Sequence, residues 1–249
     1  MDYFLQPEFN CCLVNIGDML DNGTVINKRK LDTPNSFRVA CTIFSQIILQ
    51  ISSNQYGGQS LDVKHLGKYL RKSKNNYIAM VDKYDMPQEE KDKMVAELLQ
   101  KELSAGIQTI QYQINTFMST QGQSPFVTLF LNVDKEYEYV EEVAMIVEEI
   151  LKQRLAGMPN EKGVPTTPAF PKLVYVLHDY NCLEGGEYDY ITEVAVKCSA
   201  KRMYPDYISA KEMAKNYEGN VFAPMGCRSF LSPYMDENGV YITESRLIG

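Results

Sequence analysis

Pro125-Phe126-Val127-Thr128-Leu129-Phe130-Leu131 decides the architecture of this chain. Its apolar side chains occupy consecutive positions, not alternate ones, so both faces of a strand built from it must be covered. A second run of the same kind, Lys172-Leu173-Val174-Tyr175-Val176-Leu177, lies further along. Around these runs the apolar period changes from two to 3.6. Phe37, Ala40, Cys41, Phe44, Ile47, Ile48 and Ile51 recur at helical spacing behind the start pair Thr33-Pro34 and stop at Ser52-Ser53. From Pro87 to about Met118, one face is traced by Met94, Val95, Leu98, Leu99, Ile107 and Ile110 despite Gly106, which predicts one long helix or two in series. Amphipathic helices are also expected over 136–155 and 189–201. Strands buried on both faces, alternating with helices that are apolar on one, specify an α/β layered or barrel architecture.

The segments between are read from their turn chemistry. Cys11-Cys12-Leu13-Val14-Asn15-Ile16 reads as a short strand leading to the turn Asp21-Asn22-Gly23, and Gly57-Gly58 breaks the chain before a second short helix. The Gly- and Pro-rich stretch 157–170 connects elements within one domain. Asp236-Glu237-Asn238-Gly239 is a hairpin signal, so a strand beginning at Val240 either pairs backward or awaits a continuation of the chain.

Composition narrows the partners. The 249 residues are 45% hydrophobic and 23% charged, an ordinary globular balance, and the net charge of -7 repels polyanions. The basic stretch from Lys64 to Lys74 reads as the wet face of a helix, so no long nucleic acid is expected. No stretch approaches the roughly 20 apolar residues of a membrane helix, and Met1-Asp2-Tyr3-Phe4-Leu5 lacks the features of a signal peptide. No membrane partner and a cytoplasmic location are therefore the expectation. Six cysteines, at 11, 12, 41, 182, 198 and 227, show neither a C-x-x-C pair nor a histidine at ligand spacing, so no metal is expected in this segment. They are expected as thiols, with Cys41, Cys182 and Cys198 packing as small hydrophobes.

One stretch invites a chemical reading. Met225-Gly226-Cys227-Arg228-Ser229 combines a tight turn with a cysteine, and in an extended backbone positions 225, 227 and 229 share a face. That face would carry a thioether, a thiol and a hydroxyl. A buried cysteine beside a turn fits the same pattern. Adjacent residues of a strand face opposite ways, so at most one of Cys11 and Cys12 can join Cys227 in a pocket.

Four collinear blocks resemble the anaerobic, glycyl-radical class of ribonucleoside-triphosphate reductases. They are Phe9-Asn10-Cys11 with Leu13 and Met19-Leu20; Asn54-Gln55-Tyr56-Gly57-Gly58-Gln59-Ser60; Asn115-Thr116 with Gly122-Gln123-Ser124-Pro125-Phe126-Val127-Thr128; and Ala200-Lys201-Arg202-Met203-Tyr204-Pro205-Asp206 with Pro224-Met225-Gly226-Cys227-Arg228-Ser229-Phe230-Leu231. The resemblance implies half of a ten-stranded α/β barrel with a finger loop at its centre. It implies Cys227 as the fingertip cysteine that carries a thiyl radical, Cys11 as the second catalytic thiol, and Asn10, Met225 and Ser229 in the substrate pocket. The chemistry implied is reduction of a ribonucleoside triphosphate, with formate as overall reductant. A deoxynucleotide or ATP effector is implied near a subunit interface of a homodimer, at the start of the helix expected from Pro34. Asp32 and Gln46 fit positions there, whereas Asn35 stands where a lysine is frequent. An iron–sulfur activating enzyme using S-adenosylmethionine is the implied source of the glycyl radical.

Family members are more than twice this length. They begin with a regulatory nucleotide-binding domain and end with a cysteine-rich zinc site and the radical-storing glycine, so 1–249 is read as a partial catalytic barrel domain, incomplete at its C-terminus. Arg246-Leu247-Ile248 stands where the family has Arg-x-Asn. On this reading the chain is inactive alone, associates through its open sheet edge, and needs a complementary C-terminal half. Two alternatives stand beside it. A formate-lyase type of glycyl-radical enzyme would place two adjacent cysteines on the finger, and a non-catalytic split-gene fragment would bind nucleotide without turnover.

Overall fold

The computed structural model describes residues 11–54, 57–120, 122–217 and 219–226, and the backbone of two further short strands. In chain order these residues form β1 (Cys12–Leu13), α1 (Ile16–Asp21), β2 (Thr24–Ile26), β3 (Arg29–Leu31), α2 (Phe37–Ser52) and β4 (Gln59–Asp62). After a 3-10 turn at Val63–Leu66 come α3 (Gly67–Val81), α4 (Gln88–Thr116), β5 (Val127–Leu131) and α5 (Val140–Ala156). The small hairpin of β6 (Met158–Pro159) and β7 (Pro165–Thr166) precedes β8 (Lys172–Leu177), α6 (Asp179–Cys182), α7 (Asp189–Arg202), β9 (Asp206–Ser209) and α8 (Ala210–Asn216). The last two strands are β10 (Tyr234–Met235) and β11 (Tyr241–Ile242).

The main sheet has the order β1-β4-β5-β8-β9, and every neighbouring pair in it is parallel. Parallel neighbours require crossovers, and the helices supply them. Side-chain parity separates the two faces of the sheet. Val127, Leu129 and Leu131 of β5 and Leu173 and Tyr175 of β8 join the large core with α2, α3, α4, α5 and α7. Phe130, Val174 and Val176 point the other way and pack with Ala210, Ile208, Val221 and Ala223. The segment after β9 thus lies over the face opposite the helices, which is why both expected strands read as apolar throughout.

Several boundaries differ from the expectation for identifiable reasons. Ser36, not Pro34, starts α2: it is the N-cap, and its Oγ accepts from the Val39 N–H. The expected strand over 11–16 is only Cys12–Leu13 because Asn15 caps α1 through the Asp18 N–H. A strand, β4, follows Gly58 where a helix was expected, although helix α3 comes soon after. Its Gln59 is buried because Nε2 donates to Ile48 O at 2.8 Å and to Ser52 Oγ at 2.6 Å, both on α2. A strand of mostly polar residues, Gln59, Ser60 and Asp62 beside one leucine, is concealed from a hydropathy pattern. Near the C-terminus β11 pairs backward, antiparallel with β10. Cys41 and Cys198 are buried as expected, whereas Cys182 is exposed at the end of α6 and packs in no core.

The long periodic stretch is one helix, α4, and its interior glycine has a steric cause. A Cβ at Gly106 would lie 2.6 Å from the Phe37 ring and 2.9 Å from Cys41 Sγ, so α2 and α4 touch through the bare backbone there. Gly106→Ala gains about 1 kcal/mol of helix propensity but inserts a methyl into a closed contact, which costs about 1–3 kcal/mol. Net destabilisation is the expected result in chemical denaturation, whereas Gly→Ala in an open helix would stabilise.

Candidate active site

Cys11 enters from just before β1, the first edge of the sheet. Parity assigns its face. Cys12 is in register with Gln59 and Gln59 with Val127, and both of those side chains face the helices. Cys11, one residue earlier, belongs to the opposite face. There its Sγ accepts the Gly58 N–H at 3.3 Å, while the Cys12 N–H donates to Gly58 O at 2.9 Å and ties the two chains together.

The segment descending from α8 meets Cys11 at this point. Gly226 has φ +54°, and a Cβ there would stand 2.5 Å from Cys11 Sγ and 2.8 Å from Cys11 Cβ. A Cβ at Gly58 would lie 3.2 Å from Gly226 Cα and 3.9 Å from Cys11 Sγ. Two glycines and one thiol therefore form a single close contact between the sheet and the crossing segment. Met225, next to Gly226, is buried. Cys227 follows Gly226 directly in the sequence; Cys227, Ser229 and Asn10 lie outside the described residues.

Two further thiols, Cys41 and Cys198, are buried. Burial pushes the Cys41 thiol well up, with the Glu102 carboxylate adding to the effect. Burial also raises Cys198, against the pull of Arg154 and Arg202. A raised thiol stays protonated and unreactive, so these two belong to the core. Ser60, two residues beyond Gly58 and on the same face, is buried, and its Oγ has no hydrogen-bond partner among the described residues.

At the carboxyl ends of the central strands a second polar group collects. His178 Nε2 and Asn132 Oδ1 are 2.7 Å apart, and the histidine ring stacks on Tyr180 at 4.7 Å. Burial lowers the His178 pKa, which keeps the ring neutral. Asp62 accepts the Lys64 N–H at 2.9 Å, yet burial raises its carboxyl to about 6, with Asp134 adding to the shift and the Lys64 ammonium opposing it. Because the folded pKa lies above the ordinary 3.8, ionisation of Asp62 costs folding free energy, and stability falls as pH rises from 3.8 to about 6. Asp62→Asn keeps an acceptor for Lys64 and should stabilise the fold by about 1–2 kcal/mol above that window. Denaturation curves should show the difference vanishing below it.

The residues singled out for an effector lie on the surface. Asp32, Asn35 and Gln46 are exposed, and Asp32 has only a 4.0 Å ion pair with Lys30. Open N–H groups are expected at the start of this helix, but those of Phe37, Arg38 and Val39 are taken, the last by Ser36 Oγ. Ser73 Oγ takes the Phe37 N–H at 2.8 Å, and Glu102, itself buried, takes the Arg38 N–H at 2.9 Å. A phosphate at this helix end would find those donors occupied and a carboxylate beneath them.

A family model for anaerobic ribonucleoside-triphosphate reductase matches residues 1–247 of this chain. The chain belongs to that family. The reductase of enterobacteria phage T4 is 35% identical over 244 residues, covering 96% of this chain and 39% of that protein. The Escherichia coli K12 reductase is 32% identical over 243 residues, covering 96% of this chain and 33% of that protein. The chain thus spans between a third and two fifths of the length of these relatives. In three dimensions it is similar to the Thermotoga maritima anaerobic ribonucleotide reductase with dATP in the specificity site. There the TM-score is 0.50 with 15% identity, over 78% of this chain and 32% of that one. The form of that enzyme with glycerol in the active site gives a TM-score of 0.51. At that identity the likeness concerns the fold, a parallel α/β sheet. Family membership comes from the sequence.

Sequence reasoning singled out Cys11 and Met225, and the structure brings Cys11 together with the residue next to Met225. It missed the seat beneath them. By its turn chemistry Gly57-Gly58 reads as a break between elements, whereas Gly58 contributes both an N–H and a bare Cα. Nothing in the sequence separated that use of glycine from ordinary punctuation. Among the described residues no group of three or more His, Cys, Asp or Glu side chains is arranged to hold a metal ion, and no helix is long and apolar enough to cross a membrane.

Proposed function

We propose that this chain carries the two-thiol part of ribonucleoside-triphosphate reduction, on five strands that form half of an α/β barrel. In this reading the segment from α8 to Cys227 is the finger. The observation that supports it most directly is the contact of Gly226 with Cys11, because it puts the residue before Cys227 against the only other cysteine on that face among the described residues. Asn10, Met225 and Ser229 would line the pocket around the two thiols.

The reaction then runs by radical transfer at carbon. A thiyl radical on Cys227 takes the 3′-hydrogen of the ribose, so that an S–H bond forms as the C3′–H bond breaks. Cys11 protonates the neighbouring 2′-hydroxyl, which leaves as water. Formate gives its hydrogen to C2′ and leaves as carbon dioxide, and its second electron and a proton return the 3′-ketone to the C3′ radical. Cys227 hands the 3′-hydrogen back and is again a thiyl radical, and Cys11 regains its proton from solvent. A glycyl radical, made by an iron–sulfur activating enzyme with S-adenosylmethionine, would supply the initial oxidation of Cys227. No described residue of this chain is assigned to it or to zinc. For such a reaction the face that carries Cys11 would have to exclude water from a reactive intermediate.

Effector binding is proposed at Asp32, Asn35 and Gln46, for a deoxynucleotide or ATP. With the helix-start N–H groups occupied, the contacts would come from side chains, with Lys72 and Arg38 as nearby cations. A homodimer in the cytoplasm is the assembly proposed. The decisive experiment supplies the chain with the polypeptide matching the rest of its relatives' length and an activating enzyme, without oxygen. Conversion of labelled ribonucleoside triphosphate to the deoxy product, with carbon dioxide from labelled formate, is expected. A folded, radical-bearing complex that makes no deoxynucleotide would overturn the reading.

A further inference from the structure

We propose that Gly58 is a positioning residue for this reaction, holding the Cys11 thiol against the finger backbone at Gly226 through its N–H and admitting that backbone through its missing side chain. The inference rests on the reading of Cys11 and Cys227 given above. Three observations carry it. The Gly58 N–H reaches Cys11 Sγ at 3.3 Å, which selects one orientation for a side chain that would otherwise turn about its Cα–Cβ bond. The same residue is fixed on its other side, since Gly58 O accepts the Cys12 N–H at 2.9 Å and the following Gln59 N–H reaches Phe126 O at 2.8 Å. Finally, the Gly226 backbone sits where a larger residue at 58 would extend: an alanine Cβ would be 3.2 Å from Gly226 Cα, and a branched side chain would occupy that atom's place.

The conformation of Gly58 does not itself demand glycine. Its φ lies outside the left-handed range, unlike that of Gly226. What the position lacks is room toward Gly226. A β-branched residue is otherwise well suited to the entry of a strand, so Gly58→Val should leave the sheet intact while lifting the finger.

The test compares the wild-type chain with Gly58→Ala and Gly58→Val in a background where Cys11 and Cys227 are the only cysteines, with Lys162→Ala as control because that side chain is exposed. Disulfide formation between Cys11 and Cys227 under a mild thiol oxidant, read by mass spectrometry, reports their approach without turnover. The expected order is wild type and control fastest, Gly58→Ala slower, and Gly58→Val slowest. In the complemented enzyme with its native cysteines, kcat should fall by about 100-fold in Gly58→Val with KM little changed, the cost of misplacing a reacting group by about 1 Å. Circular dichroism and the unfolding midpoint, unchanged from wild type, confirm that the sheet is intact. Equal cross-linking in Gly58→Val and wild type, with the fold intact, would overturn this inference and leave the assignment of the two thiols standing. Failure of the wild-type pair to cross-link at all would instead overturn that assignment, and this inference with it.

Discussion

Cys11→Ser and Cys227→Ser should each bring deoxynucleotide formation to background, while Cys12→Ser should change it by no more than about twofold, the range of a substitution away from the site. The three replacements are the same in size and nearly the same in shape, so they separate chemistry from packing. Serine cannot stand in for the radical-bearing residue, because an O–H bond is much stronger than an S–H bond and an oxygen-centred radical would not form there. Nor can it stand in for Cys11, because a serine hydroxyl is a far weaker acid than a thiol and does not give the departing hydroxyl its proton. Cys12 is chemically as capable as Cys11, and only direction distinguishes them. Its register with Gln59 and Val127 turns it to the helix side, away from Gly226. Assays of the complemented enzyme decide the matter: an inactive Cys12→Ser beside an active Cys11→Ser would mean that the parity is reversed.

The parts of the fold that could be read from the sequence are those whose burial is apolar. β5 and β8, with their uninterrupted runs, and α2, α4, α5 and α7, with their stripes, are found within a few residues of expectation. β4 and β9 escaped because Gln59-Ser60-Leu61-Asp62 and Asp206-Tyr207-Ile208-Ser209 are mostly polar, and their place in the sheet depends on neighbours far away in sequence. A two- or four-residue strand carries too little period to be recognised alone. The candidate site was legible only through its cysteines. Its geometry depends on backbone approaching backbone, and glycine records that approach and a plain turn with the same letter. The family-like blocks also prove to be partly architectural. Asn115, from the third block, donates through Nδ2 to Phe170 O at 2.9 Å and pins the end of α4 to the approach to β8.

Arg202, from the fourth block, should be the most costly of these architectural residues to remove. The residue is buried, and among the described residues no carboxylate pairs with it. Its donors go instead to carbonyls: Nε to Leu155 O at 3.0 Å, Nη2 to Ala156 O at 2.6 Å and Nη1 to Pro165 O at 3.4 Å. Leu155 and Ala156 end α5, where unpaired carbonyls and the negative end of the helix dipole both favour a cation. Arg154 works beside it, donating through Nη1 to Pro168 O at 2.8 Å and lying 5.4 Å from the Tyr204 ring. Arg202→Ala leaves two helix-end carbonyls without partners in a closed site. Hydrogen bonds from a charged group are worth about 1.5–3 kcal/mol each, and relief from holding a buried charge returns part of that sum. A net loss of about 3 kcal/mol is expected, which for a chain of this size is a fall in Tm of about 10 °C. Arg202→Lys should recover part of it, since one ammonium can reach one carbonyl but cannot fork. Exposed Lys201→Ala, one residue away, should stay within about 0.5 kcal/mol of wild type. The loss should also reach the site. α7 hands the chain through Tyr204 to β9, and from there to α8 and the segment that sets Gly226 on Cys11, so an unpinned α7 loosens the thiol contact at its origin. Slower Cys11–Cys227 disulfide formation in Arg202→Ala, well below its melting temperature, would be the sign of that coupling. A loss of under about 1 kcal/mol would show that the carbonyls find other donors and that Arg202 is not what holds α5 to α7.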